Sequence, residues 1–175
     1  RTAEIEAVAQ SIRDEGGDAL AVTTDVLDDA AQDALARTAV DRFGRITIWV
    51  NNAGGASERT ALHEMNREQW DRCLALNLTA VWAGIVVAAR HIDTGCIINI
   101  SSGAGTGPVP GSGHYGVAKA GVNSLTQTAA AELAPRIRVN GIMPGAIPTE
   151  IFRTALGIRT DDDLAEAEAR WDIPM

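Results

Sequence analysis

The chain has 175 residues, of which 46% are hydrophobic and 22% charged, and it carries a net charge of −8. Length and balance fit one domain, residues 1–175, with a substantial core, and exclude an intrinsically disordered chain. The acidic balance argues against a nucleic-acid partner, no uninterrupted apolar run reaches the roughly 18 residues of a membrane span, and the start carries no secretory signal pattern.

In chain order, Ile5, Val8, Ala9 and Ile12 recur at helical spacing, and Gly16-Gly17 supplies a stop. ALAVTTDV (19–26) reads as a short buried strand. Asp28 can cap a second helix whose Leu35, Ala36, Ala39, Val40 and Phe43 share one side, with Gly44 at its end. ITIWV (46–50) is an apolar, β-branched strand. Asn66 and Gln69 have capping-box spacing ahead of a long helix from about Arg67 to Arg90. CIINIS (96–101) is another strand, followed by a Gly/Pro-rich stretch, 103–113, that reads as a flexible loop. A helix carries YGVAKAGVNSLTQTAAAEL, IRVNGI (137–142) is the last clear strand, and helical patterns follow at 149–157 and 161–170. Cys73 and Cys96 sit in apolar runs and read as buried free thiols, in keeping with a reducing cytoplasm.

Strands that are short apolar runs alternating with helices predict a parallel sheet with helices on both faces, a doubly wound α/β fold. Ligands of such folds bind at the carboxyl ends of the strands. There the chain places Asp25, then NNAGG, SSGAG and PGAIPT, so a site is expected along one sheet edge.

Tyr115, the only tyrosine, and Lys119 stand at i and i+4 on a helix and share a face. An ammonium beside a phenol favours the phenolate and lowers a pKa that is otherwise near 10. A solvated helix face gives the same spacing, although Gly116, Ala118, Ala120 and Gly121 would let a ligand approach closely. Ser102 follows a strand and could fold back toward Tyr115 or simply serve as a turn serine. Asn77 lies on the apolar stripe of Trp70, Cys73, Leu74, Leu78 and Val81. It is either a core amide tied to backbone or a polar group aimed at an internal site. GAGTG (103–107) fails the G-x-G-x-x-G spacing and has no P-loop lysine. His63, His91 and His114 lack metal-ligand spacing, and His114 reads as a surface residue. Asp161, Asp162 and Asp163 read as the acidic start of a helix.

NNAG (51–54), Asn77 in LNLTA, INISS (98–102), YGVAK (115–119), RVNGIMPG (138–145) and IPT (147–149), in this order, resemble the short-chain dehydrogenase/reductase family, on its 3-oxoacyl-reductase-like or alcohol-dehydrogenase-like branch. The resemblance implies a Rossmann-like fold, NAD or NADP as cofactor, and hydride transfer to or from a secondary alcohol or ketone. It implies Tyr115 as acid/base, Lys119 lowering its pKa and bonding the nicotinamide ribose, Ser102 orienting the substrate oxygen, and Asn77 holding a relay water. It further implies that Asp25 and Val26 contact the adenine, that Asn52, Ala53 and Gly54 line the cofactor, and that Pro144, Gly145, Ile147 and Thr149 cradle its nicotinamide and pyrophosphate. A homo-oligomer, dimer or tetramer, is the expected assembly. The segment from Glu150 to Trp171 matches a substrate lid whose Ile151, Phe152, Leu156 and Ile158 hint at an apolar alcohol.

The chain departs from the family pattern at both ends. The opening strand, the T-G-x-x-x-G-x-G turn, a helix and a second strand are missing, and with them the residue that selects NAD or NADP. It also stops at WDIPM, where the family continues. The expectation is a part of a longer protein. Two other readings are a sugar-nucleotide epimerase or dehydratase, which NNAG argues against, and a catalytically inactive cofactor-sensing or structural relative, which the intact Asn77, Ser102, Tyr115 and Lys119 argue against.

Overall fold

A computed structural model describes residues 2–55, 59–145, 147, 149, 153 and 158–171. Helix α1 spans Thr2–Asp14 and ends ahead of Gly16, whose φ of 86° suits a residue without Cβ. Helix α2 spans Asp29–Phe43. Its cap is the expected one: the Asp28 carboxylate accepts from the Ala30 and Ala31 amides, and Gly44 closes the helix in the left-handed conformation.

Strands β1 (Ile48–Asn51), β2 (Gly95–Ile100) and β3 (Ile137–Ile142) form a parallel sheet in that order. The connection from β1 to β2 is one continuous helical run. It consists of α3 (Arg67–Leu74), a π-helical turn (Ala75–Thr79) and α4 (Ala80–His91). The capping box that opens it is present, with Asn66 and Gln69 each bonding the other's backbone. By length and composition the run from Arg67 to His91 could cross a membrane, but half of its most apolar window is buried within the protein, as in a core helix. Helix α5 (Gly113–Leu133) joins β2 to β3, and α6 (Asp161–Trp171) follows. The acids at the start of α6 do what their position predicts: the Asp163 carboxylate accepts from the Arg159 and Thr160 amides, and Thr160 accepts from the Asp163 amide.

One sheet face carries the core. Ile97 of β2 and Ile137 and Val139 of β3 pack with Val81, Ile85 and Ala88 of α4, Val122 and Ala129 of α5, and Ala36 of α2. The opposite pleat leaves Ile48, Val50 and Ile142 exposed. Both cysteines are buried free thiols, as expected.

Three expectations need correction. Residues 19–26 are not a strand. A strand needs a hydrogen-bonded neighbour, and the described sheet ends at β1 without pairing to this segment. The stretch 103–113 is not a loose loop either, because it opens with a 3₁₀ turn, Gly103–Gly105, packed on α5. A Cβ on Gly105 would stand 2.7 Å from the Lys119 carbonyl carbon, so only glycine permits the approach. Finally, His114 is fully buried rather than on the surface, because the first turn of α5 faces inward. The helical pattern at 149–157 falls almost entirely outside the described residues.

Two outcomes are expected. Ile97 is fully buried at the centre of the core, so Ile97→Ala should lower the urea-unfolding free energy by about 2–5 kcal/mol. Asp33 of α2 accepts a 2.8 Å bond from His91 of α4, and that bond, aided by the charge of Arg37, holds its carboxyl below the ordinary value. A lowered carboxylate stabilises the fold above its unfolded pKa and loses that contribution as pH falls through the folded one. Asp33→Asn should therefore flatten the acid limb of Tm against pH below about pH 4.

Candidate active site

The carboxyl ends of the strands bring the predicted residues together. β2 ends at Ile100 and delivers Ser101 and Ser102, and Gly103 donates its amide to the Pro144 carbonyl beyond β3 at 3.0 Å. The first turns of α5 present Tyr115 and Lys119 to that edge. The Ser102 hydroxyl accepts from the Ala104 amide at 3.2 Å and, as a hydrogen-bonding neighbour, draws the Tyr115 phenol's pKa down. Lys119 is only 4% exposed. Its ammonium donates to the Ile100 carbonyl at 2.9 Å and stands 5.6 Å from the centroid of the Tyr115 ring.

Asn77 occupies the π-helical turn and is 1% exposed. A π turn inserts one residue into the helix and re-aims the side chain it carries. The Asn77 amide faces the loop after β1: its oxygen accepts from the Gly55 amide at 3.1 Å, and its nitrogen donates to the Gly55 and Cys73 carbonyls at 3.0 and 3.1 Å. Of the two readings open from sequence, this geometry shows the backbone tie, with the tied backbone being a wall of the site. A Cβ on Gly54 would sit 2.9 Å from the Asn77 oxygen and 3.6 Å from the Lys119 nitrogen, so glycine allows the loop to close over both. Asn52, Ala53 and Gly54 remain exposed along this edge.

Electrostatics differ from the sequence expectation. Burial pushes the Tyr115 phenol above its ordinary value, the Ser102 hydrogen bond pulls it down, and the nearby Cys73 thiol pushes it up. The downward pull expected from Lys119 does not set the direction; burial does, and the Lys119 ammonium donates to the Ile100 carbonyl. Lys119 is itself lowered by burial, with Cys73 acting in the opposite sense. Burial also lowers His114.

Other predicted positions lie further along the edge. The Asp25 carboxylate accepts from the Leu27 amide at 2.9 Å, making a turn. The Val26 carbonyl accepts from Gln32, which also reaches the Ala80 carbonyl of α4, so Gln32 ties the Asp25–Val26 segment to the helix carrying Asn77. Gly145, Ile147 and Thr149 are exposed, and Thr149 donates to the Ile147 carbonyl at 2.7 Å. Of the expected apolar lid residues, Ile151, Phe152 and Leu156 lie outside the described residues, while Ile158 is buried. Sequence reading missed Cys73 as a neighbour of Tyr115 and Lys119. It also missed Ser101, although Ser101 shares a strand face with Ile97 and Asn99 and so points toward α5.

The chain is similar to known proteins. A family model described as short chain dehydrogenase matches residues 1–156. The chain is 43% identical over 175 residues to a 3beta-hydroxysteroid dehydrogenase 1 of Eggerthella lenta, covering 95% of this chain and 64% of that protein. It is 40% identical over 150 residues to a 3-oxoacyl-[acyl-carrier-protein] reductase of Synechocystis sp., covering 83% and 60% respectively. A crystal structure of carveol dehydrogenase from Mycobacterium avium in complex with NAD superposes with a TM-score of 0.83 at 29% identity, over 90% of this chain and 59% of that one. NAD+-bound xylitol dehydrogenase gives 0.85 at 29% identity, over 90% and 63%. The chain thus spans about 60% of the length of these relatives. With the doubly wound α/β class and the strand-end motifs in agreement, the chain belongs to the short-chain dehydrogenase family.

Proposed function

We propose that this site serves an NAD(P)-dependent oxidoreductase that interconverts a secondary alcohol and a ketone. The observation that carries the reading is the convergence of Ser102, Tyr115 and a buried Lys119 at one strand-end edge, beside an open glycine-bearing loop. The residues present fit the nicotinamide end of such a cofactor. Gly54 brings backbone close to Lys119 without filling the space, and among the described residues a Cβ on Gly55 or Gly145 would meet nothing within 4 Å. Bound there, the nicotinamide carries the hydride.

The chain's own groups handle the proton and the oxygen. Tyr115 is the acid/base: its phenol donates to a ketone oxygen and its phenolate accepts from an alcohol hydroxyl, so it bonds the substrate oxygen in either protonation state. Ser102 donates to the same oxygen and orients it. Lys119 places a cation behind the phenol, where a phenolate would form, and holds a ribose hydroxyl. Asn77 holds the Gly54–Gly55 wall and completes a water path from Lys119 outward. Asn52, Ala53, Gly54, Pro144, Gly145, Ile147 and Thr149 hold the cofactor along the edge, with Asp25 and Val26 at its adenine end. Residues 150–171 act as the substrate lid of the same domain. The likeness to a hydroxysteroid dehydrogenase supports an apolar alicyclic alcohol as substrate. A homo-oligomer fits the exposed Trp82 of α4 and Val117 of α5, and a reducing cytoplasm fits the two free thiols.

The test is turnover of a panel of alicyclic alcohols with NAD and with NADP. Tyr115→Phe should keep its circular dichroism and Tm and lose about 100- to 10,000-fold in kcat; retained turnover would remove Tyr115 from the mechanism. A second outcome follows from the Ser102 bond, which holds the Tyr115 pKa down. Ser102→Ala should raise the midpoint of Tyr115 ionisation, read by ultraviolet absorbance of the single tyrosine.

A further inference from the structure

Three consecutive residues at the end of β2 are bonded to α5. The Asn99 amide donates to the Thr126 hydroxyl at 3.0 Å, the Ile100 carbonyl accepts from the Lys119 ammonium, and the Ser101 hydroxyl donates to the Lys119 carbonyl at 3.0 Å. Asn99, Ser101 and Thr126 are buried, at 0%, 4% and 9% exposure, so the Asn99–Thr126 and Ser101–Lys119 bonds are made away from solvent. The Thr126 hydroxyl in turn donates to the Val122 carbonyl at 2.7 Å. On its other side, Asn99 accepts from Asn51 at 2.8 Å, and Asn51 accepts from the Trp49 indole at 2.7 Å. A polar line thus runs from β1, which leads into Asn52–Gly54, through β2 to α5.

The apolar contacts of α5 are poorly suited to fix its position. Apart from the polar His114, Lys119 and Thr126, its fully buried side chains are Ala118, Val122 and Ala129, with Leu125, Ala130 and Leu133 packed partly buried against the core. Small apolar surfaces attract without direction, and a helix can slide along them. One turn of slip moves a side chain about 5.4 Å, comparable to the 5.6 Å separating the Lys119 ammonium from the Tyr115 ring. Hydrogen bonds are directional and fail within a fraction of that distance. The two side-chain bonds also lie seven residues apart on the helix, about 10 Å along its axis, so together they define both position and rotation.

We propose that Ser101 and the Asn99–Thr126 pair are positioning residues that set the register of α5 on β2 and so hold the Lys119 ammonium beside Tyr115. This rests on the acid/base reading of Tyr115 and Lys119 given above. It adds to that reading three side chains outside the Ser102, Tyr115 and Lys119 trio.

Tyr115 is the only tyrosine, so its ionisation can be followed in the full chain without cofactor or substrate. Helix content is monitored over the same pH range. Among the described residues, the other titratable group acting on both Tyr115 and Lys119 is Cys73 of α3, which is kept in every variant. Ser101→Ala and Thr126→Val should each move the Tyr115 midpoint in the direction given by Lys119→Met, by about 0.5 pH unit, roughly a threefold change in proton affinity. Thr126→Ser, which keeps the hydroxyl, should restore the wild-type midpoint. In a Lys119→Met background the same substitutions should add nothing, because they act through the lysine. Midpoints equal to wild type, or shifts undiminished without Lys119, overturn the proposal. If Lys119→Met itself moves nothing, the acid/base reading of the pair fails, and amide hydrogen exchange then decides the register claim. Faster exchange confined to the first half of α5, at equal global stability, supports it, and unchanged exchange overturns it.

Discussion

A lysine ammonium with 4% exposure, held by one backbone carbonyl, is the constraint around which this molecule is arranged. Burying a charge without a counter-ion is costly, and among the described residues no carboxylate pairs with Lys119. The surroundings answer that cost with geometry: the Ile100 carbonyl accepts one hydrogen bond, the Tyr115 ring offers its face, and Gly54 approaches because it has no side chain. The burial that lowers Lys119 also raises Tyr115. A bound ligand adding charge or hydrogen-bonding groups at this edge would therefore act on two groups already displaced from their ordinary values.

The sheet supplies the stiffness such a site needs. Parallel pairing aligns Asn51 with Asn99, and Ile100 with Ile142, so the loops after all three strands leave from one edge. The long helical run from Arg67 to His91 then contributes its one π turn at the height of that edge, where Asn77 ties down the loop after β1. Core packing on one face holds the frame, while hydrogen bonds at the strand ends hold the details.

Much of the site was legible because its residues sit in short contiguous motifs. Tyr115 and Lys119 share a helical face by spacing alone, and Ser102 follows an apolar run that had to be a strand. The Asn66–Gln69 box and the Asp28 cap were readable because a cap bonds residues two or three positions away. Asn77 was legible only as an anomaly, an amide on an apolar stripe. Its partners, the Gly55 and Cys73 backbone groups, could not be read from the pattern. His114 was misplaced because a single polar residue beside a glycine gives no sign of which way its helix turn faces.

By itself the sequence determined the order of the elements from α2 to β3, the parallel α/β class and the motifs at the strand ends, since those depend on local periodicity, caps and turns. Tertiary structure alone decided that residues 19–26 make no ladder, that Gly105 must lie against α5, and that burial sets the direction at Tyr115. It also decided the line from Asn51 through Asn99 to Thr126 and the bond from Ser101 to Lys119, which join residues 48, 27 and 18 positions apart. Local pattern specifies which face a side chain takes. Which distant atom it meets there depends on how the chain closes on itself.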